Sequence, residues 1–234
     1  MAARASRFRL VLGTHDLSPD PVATGDELSA WMPFHDFVAL YGKLDRNAAR
    51  TGVPIEITSD DAFASDYTLL LPWLLETGRT ATFFVPTAFL GRPGRLTRAQ
   101  LREMRRLGMR IGTHGTNHID WARSADYRDD ILAGIATLED LLGEPVVSAA
   151  PPFGQYNARV LRLLAERDIG DVYTCNGGYA VTDGVLRTRV AVASDAAVND
   201  RIVELSTRTP GNKDWWRGQW HRLRDTPALK PRWI

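Results

Sequence analysis

The sequence predicts an α/β fold, a parallel sheet with helical crossovers closed into a complete or distorted barrel of about seven βα units. Two observations carry that reading. Short apolar runs alternate with longer amphipathic ones along most of the chain, the pattern of strand followed by helix. Acids and histidines also recur at the same end of successive strands, where parallel α/β folds build their sites.

Taken in order, residues 8–13 read as a strand and 34–50 as a helix, then 54–58 as a strand and 66–77 as helical. Residues 81–85 are a strand, and 97–107 a helix with Thr97 as its N-cap. Residues 110–113 are a strand, 127–142 a helix ended by Gly143, and 146–150 a strand. Helix 157–166, strands 171–174 and 186–192, and helix 196–207 follow. Between strand and helix, residues 14–33 carry Pro19, Pro21, Gly25 and several acids, which suits a surface loop over one end of the fold. Residues 1–210 are read as the barrel domain. Residues 211–234 differ in kind, with Trp215, Trp216, Trp220 and Trp233 among Arg217, Arg222, Arg224 and Arg232, and are read as a tail packed on the barrel.

Composition sets limits. Of 234 residues, 44% are hydrophobic and 24% charged, values of an ordinary globular protein that buries a core without disulfides. The formal net charge of +1 implies no nucleic-acid partner. A single cysteine, Cys175, permits no internal disulfide and reads as a small core residue. Residues 10–13 are too short for the ~7–15-residue apolar region of a signal peptide. No run approaches the ~20 apolar residues of a membrane span. The expectation is a cytoplasmic chain; the sequence is silent on oligomeric state.

The strand ends carry the chemistry. The first ends at Thr14-His15-Asp16, the second at Thr58-Ser59-Asp60-Asp61, and the fourth at Thr113-His114-Gly115-Thr116-Asn117-His118. The fifth ends at Pro151-Pro152-Phe153-Gly154. On a helical turn, His114 and His118 would face the same side. Two imidazoles and a carboxylate suit a zinc-like ion with one position open. The same residues have ordinary readings as well: paired acids often cap a helix, and an H-x-x-x-H pair is often structural. His35 reads as a surface residue and Asp195 as a helix cap.

These segments resemble the polysaccharide deacetylases, the NodB-like carbohydrate esterases. Residues 58–62, Thr-Ser-Asp-Asp-Ala, are similar to their T-F-D-D-G motif; residues 114–118 are similar to H-[ST]-x-x-H, with Gly115 in place of the small hydroxyl residue; residues 150–154 are similar to R-P-P-Y-G. The likeness spans residues 10–195 and keeps the family's motif order. It implies a distorted (β/α) barrel of the NodB type and one divalent metal ion, expected to be zinc, held by Asp61, His114 and His118. It further implies that Asp60 is the general base for the attacking water, with the oxyanion held near Pro152, Phe153 and Gly154. The chain departs from the family in two places. Ala150 stands where many members have an arginine that orients the base, and residues 120–219 hold no histidine to act as the late general acid. His15 is the substitute acid at the strand ends. Residues 186–190, Leu-Arg-Thr-Arg-Val, resemble the L-P-R-[IV] strand of a divergent branch.

The expected function is therefore removal of an N-acetyl group from an N-acetylated sugar or glycoconjugate. Hydrolysis of another non-peptide C–N bond, or glycan binding without catalysis, are the alternatives. A two-histidine, one-carboxylate iron oxygenase belongs on a double-sheet β fold and does not match the β/α alternation.

Overall fold

The computed structural model describes residues 7–22, 28, 30–211 and 213–214. The 211–234 tail, apart from the three residues just included, lies outside the described residues. Strands β1 (Phe8–Thr14), β2 (Ile55–Asp60), β3 (Ala81–Val85), β4 (Arg110–Thr113), β5 (Ser148–Ala149) and β6 (Asp171–Thr174) pair in parallel, each with the next. A short β7 (Ala180–Val181) runs antiparallel against the start of β1. β8 (Leu186–Thr188) then pairs with β6, and β9 (Val190–Ala191) pairs with β1. One stretch of chain thus bridges the two edges of the sheet and closes the distorted barrel. The strand expected over 186–192 is split at Arg189, the residue at which the chain changes partners.

Outside lie the α-helices α1 (Phe34–Thr51), α2 (Leu71–Glu76), α3 (Arg98–Arg106), α4 (Tyr127–Leu142), α5 (Ala158–Glu166) and α6 (Ala196–Ser206). A turn of π-helix, Asp66–Leu70, leads into α2. β2 runs two residues further than its apolar run predicts, because Ser59 and Asp60 are buried and keep the register with Phe83 and Phe84 of β3. β5 is only two residues long, and Val147 beside it is exposed. Among the described residues no helix is long and apolar enough to cross a membrane.

Alternation along each strand divides the interior in two. Outward side chains such as Leu10, Leu12, Ile57, Phe83, Val85 and Val172 join the helices in the main core. Inward ones stack in layers inside the barrel. At the base, Glu56 accepts from Tyr173 Oη and from Arg110 Nη2 at 2.8 Å. Val11, Phe84, Ala150 and Tyr173 fill the middle. The same period carries the chain upward from Glu56 through Thr58 to Asp60, and from Arg110 through Gly112 to His114. The site residues are therefore the top inward positions of strands whose lower positions plug the barrel.

Helix ends follow their capping signals. Thr97 and Gln100 form a reciprocal capping box at the start of α3, and Asn157 caps α5 by accepting from the amides of Arg159 and Val160. Replacing Thr97 by Ala removes one side of the box. Thermal unfolding of T97A should show a loss of about 1 kcal/mol, a drop of about 2–4 °C for a chain of this size.

Candidate active site

At the carboxyl ends of the strands, Asp61, His114 and His118 present ligand atoms that all lie within 4.8 Å of one another. Oδ1 of Asp61 is 3.5 Å from Nε2 of His114 and 3.3 Å from Nε2 of His118. His114 is buried, and its Nδ1 lies 2.6 Å from the Ala150 carbonyl oxygen. A carbonyl only accepts, so Nδ1 carries the proton and the lone pair of Nε2 faces Asp61. Burial pushes the His114 pKa down to about 3, although the charge of Asp60 acts the other way. His114 is thus a neutral imidazole of fixed tautomer, the form a metal requires. The donor set fits a divalent ion with room for a further ligand.

His114 and His118 do not sit on a helical turn as the spacing suggested. Residues 114–120 form an irregular loop in which Gly115 has φ +78° and His118 φ +57°. The imidazoles meet because the loop doubles back, and rings hold His118 from either side: Phe153 at 4.6 Å between centroids and Phe89 at 5.9 Å.

Asp60 and Asp61 are adjacent but keep different company. Asp60, ending β2, points into the barrel mouth. Both its oxygens accept from Arg189, Oδ1 from Nη1 at 2.6 Å and Oδ2 from Nη2 at 2.7 Å. Nη1 also donates to Thr58 Oγ1 at 3.1 Å. Burial alone would raise the Asp60 pKa; the Arg189 guanidinium, aided by His114 and His15, overrides it and holds the carboxyl well below its usual range. Asp61 follows at φ +72° and faces the two imidazoles; its carbonyl accepts from Arg95 Nη1 at 2.9 Å, and the Arg95 guanidinium lies 3.8 Å over the Phe63 ring. His15 stands at the mouth, Nε2 3.8 Å from Asp60 Oδ2. Below them, burial lifts the Asp66 carboxyl well above its usual pKa while its Oδ1 accepts from Ser59 at 2.6 Å. Pro152, Phe153 and Gly154 form a short 3₁₀ turn with φ +58° at Phe153, a residue 55% exposed at the rim beside His118.

The residues singled out in the sequence therefore converge, with His15, Asp60, Asp61, His114, His118 and the 152–154 turn at one mouth. The sequence reading missed Arg189. Its signal was the divergent-branch likeness of 186–190, which places an arginine on the strand that closes the barrel. Cys175 is not a core residue: it is exposed, with Sγ 3.8 Å from Arg189 Nη2, because β6 ends at Thr174 and Cys175 already belongs to the rim. Asp195 caps α6, accepting from the Ala197 amide at 2.8 Å, and His35 is exposed beside Asp36.

Comparison with known proteins decides the family. The polysaccharide deacetylase family model matches residues 48–170, just over half of the chain. The chain belongs to the polysaccharide deacetylase family. Solved structures share this deacetylase fold. The Streptococcus pyogenes deacetylase PplD, in complex with acetate, superposes with a TM-score of 0.70 at 20% identity over 87% of this chain and 99% of that one. IcaB of Ammonifex degensii gives 0.71 at 19% identity over 86% and 98%. The de-N-acetylase of Aggregatibacter actinomycetemcomitans gives 0.70 at 14% identity over 83% and 99%. At such identities the likeness is one of fold. No curated protein matches the sequence.

The electrostatics of His114 can be checked without substrate. In the metal-free protein its imidazole NMR signals should hold constant from pH 8 down to about pH 4.5, where an ordinary histidine has already titrated. Its folded pKa lies below the unfolded one, so its contribution to stability is complete above about pH 6.5 and declines as pH falls toward 3. Titration of His114 near pH 6 would mean that its burial is lost in solution.

Proposed function

We infer that the chain is a metal-dependent deacetylase that removes the acetyl group from an N-acetylated sugar or glycoconjugate. One observation carries the reading: two adjacent buried carboxylates are kept in separate roles, Asp61 facing two imidazoles and Asp60 clamped by Arg189. Asp61, His114 and His118 would hold one divalent ion, expected to be zinc. That ion would supply Lewis acidity toward the amide carbonyl and lower the pKa of a water.

The chain's own groups do the rest. Asp60, ionised at every physiological pH by its arginine, accepts the proton of the attacking water at a carboxylate oxygen. Arg189 fixes the plane of the carboxylate through two parallel bonds and stops it from swinging across to the Asp61 cluster. Backbone donors for the oxyanion are few in the 151–155 turn. Pro152 has no N–H, and the amides of Gly154 and Gln155 are bonded to the carbonyls of Pro151 and Pro152 at 3.0 Å each, which leaves the Phe153 amide. Departure of the amine needs a proton, and His15, 3.8 Å from Asp60, is the donor we assign. A module that only bound glycan would have no use for a base locked in place beside its ligand cluster.

The reading is tested by acetate release from a panel of N-acetylated sugars and glycoconjugates, with and without added zinc. Release should require metal. Asp60→Asn should retain zinc and lose most turnover at any zinc concentration, whereas Asp61→Asn should lose zinc and regain part of its turnover when zinc is raised. His15→Ala should lower turnover by ~10²–10⁴-fold with zinc content unchanged. Full activity of Asp60→Asn would remove the mechanism.

Arg189 makes a separate prediction. Arg189→Met leaves the Asp60 charge buried without its partner, which should cost about 3–5 kcal/mol of stability. The Asp60 pKa should then rise, so the acid limb of the kcat/KM profile should move to higher pH. Arg189→Lys should recover part of the stability but not the two-pronged geometry. An acid limb unmoved in Arg189→Met would separate Arg189 from the base.

A further inference from the structure

The loop carrying both histidines has no regular hydrogen-bonding pattern of its own and holds two left-handed residues, so something outside it must define its shape. We propose that Asp130 of α4 is a positioning residue for the metal site, holding the 114–118 loop in its ligating form; this rests on the metal-site reading above.

Asp130 is buried one helix away from the site. Its Oδ1 accepts from the backbone amide of Asn117 at 2.7 Å and from the Asn117 side-chain amide at 3.1 Å. Its Oδ2 accepts from Trp121 Nε1 at 3.0 Å, and Trp121 is fully buried. Its backbone carbonyl accepts from Thr116 Oγ1 at 3.0 Å. A single residue thus engages Thr116, Asn117 and Trp121, which span the loop from between the two histidines to just beyond His118. Three N–H donors converge on one buried carboxylate, an arrangement that fixes a backbone far more firmly than a hydroxyl can.

Two glycines show that helix and loop are built to each other. A Cβ on Gly115, at φ +78°, would fall 2.1 Å from Asp130 Oδ2 and 3.1 Å from the Trp121 ring. Asp130 therefore occupies the space where a side chain at 115 would begin, the position at which the family motif carries Ser or Thr. One turn further along α4, on the same face, a Cβ on Gly134 would lie 2.6 Å from the Gly115 carbonyl carbon. The helix backbone rests directly on the loop, and positions 115, 130 and 134 are one packed unit. The loss of the motif's hydroxyl and the presence of an acid at 130 are two sides of one arrangement.

The test uses the full chain and zinc alone, its affinity read by competition with a chromophoric chelator. Asp130→Ala should weaken zinc binding by about 10–100-fold, the range seen when groups behind metal ligands are removed. Asp130→Asn, which keeps one acceptor oxygen, should weaken it less. Gly134→Ala removes no hydrogen-bonding group yet pushes on Gly115, and should weaken zinc as well. Hydrogen exchange in the metal-free protein should show the Asn117 amide losing protection in Asp130→Ala, while the His114 amide, bonded to Val85 O at 3.2 Å, keeps its own. Tyr179→Phe serves as control: it removes a hydroxyl donating to the Leu205 and Arg208 carbonyls far from the site. It should lower the melting temperature and leave zinc affinity unchanged. If Asp130→Ala does not fold, Asp130→Asn and Gly134→Ala carry the test. Native zinc affinity in the folded variants, or equal weakening in Tyr179→Phe, overturns the role of Asp130. A native chain that takes up no zinc overturns the metal-site reading, and this one with it.

Discussion

The pair between Arg189 and Asp60 is the constraint around which the rest of the molecule is arranged. A guanidinium in the mouth of a barrel is costly to desolvate, and only a geometry that satisfies it repays that cost. Asp60 meets it with both oxygens, Thr58 with its hydroxyl, and the Phe84 ring lies 5.4 Å beneath. Arg189 is also the residue at which the closing strand passes from β6 to β1. Closure of the barrel and placement of Asp60 are therefore the same event. An open sheet would leave both charges in water, apart from each other.

The chain lacks the third-motif arginine, yet Asp60 is still paired with a guanidinium. What the carboxylate needs is a guanidinium at a point in space, and strands facing one another across a barrel offer several routes to it. Here it comes from the last strand. Ala150, which stands at the motif's arginine position, has a small apolar side chain packed with Val11, Phe84 and Tyr173, and a carbonyl that fixes the His114 tautomer. The backbone of 150 fixes His114 while the side chain of 189 holds Asp60.

Much of this was legible in the residues. Strand and helix order came through because the elements alternate in period and the helices carry real caps at Thr97 and Asn157. The candidate residues come together because a strand's last inward residue must face the mouth. Three things were hidden, each for a physical reason. A two-residue strand such as β7 has too little pattern to show. The shape of the histidine loop depends on positive φ values, which only Gly115 advertises. Long-range partners such as Arg189 with Asp60, 129 positions apart, leave no trace in local spacing.

Among the described residues, the non-glycine positions with positive φ are Asp61, Ala62, His118, Phe153 and Asp168. Four of the five lie at the site, and such conformations cost on the order of 1–3 kcal/mol each. They persist because other residues, most of them outside the motifs, tie them down. Arg95 holds the carbonyl of Asp61, the Leu96 amide that of Ala62, Asp130 the loop before His118, and the amides of Gly154 and Gln155 close the turn around Phe153. Strain of this kind sets Asp61 and His118 in place beforehand, so on the proposed metal-site reading little reorganisation would remain to oppose binding. It also explains why the motifs can be degenerate. Ser59, Ala62 and Gly115 depart from the family pattern, yet the backbone that aims the carboxylates and imidazoles is set by ties from α4, the 89–96 segment and the closing strand.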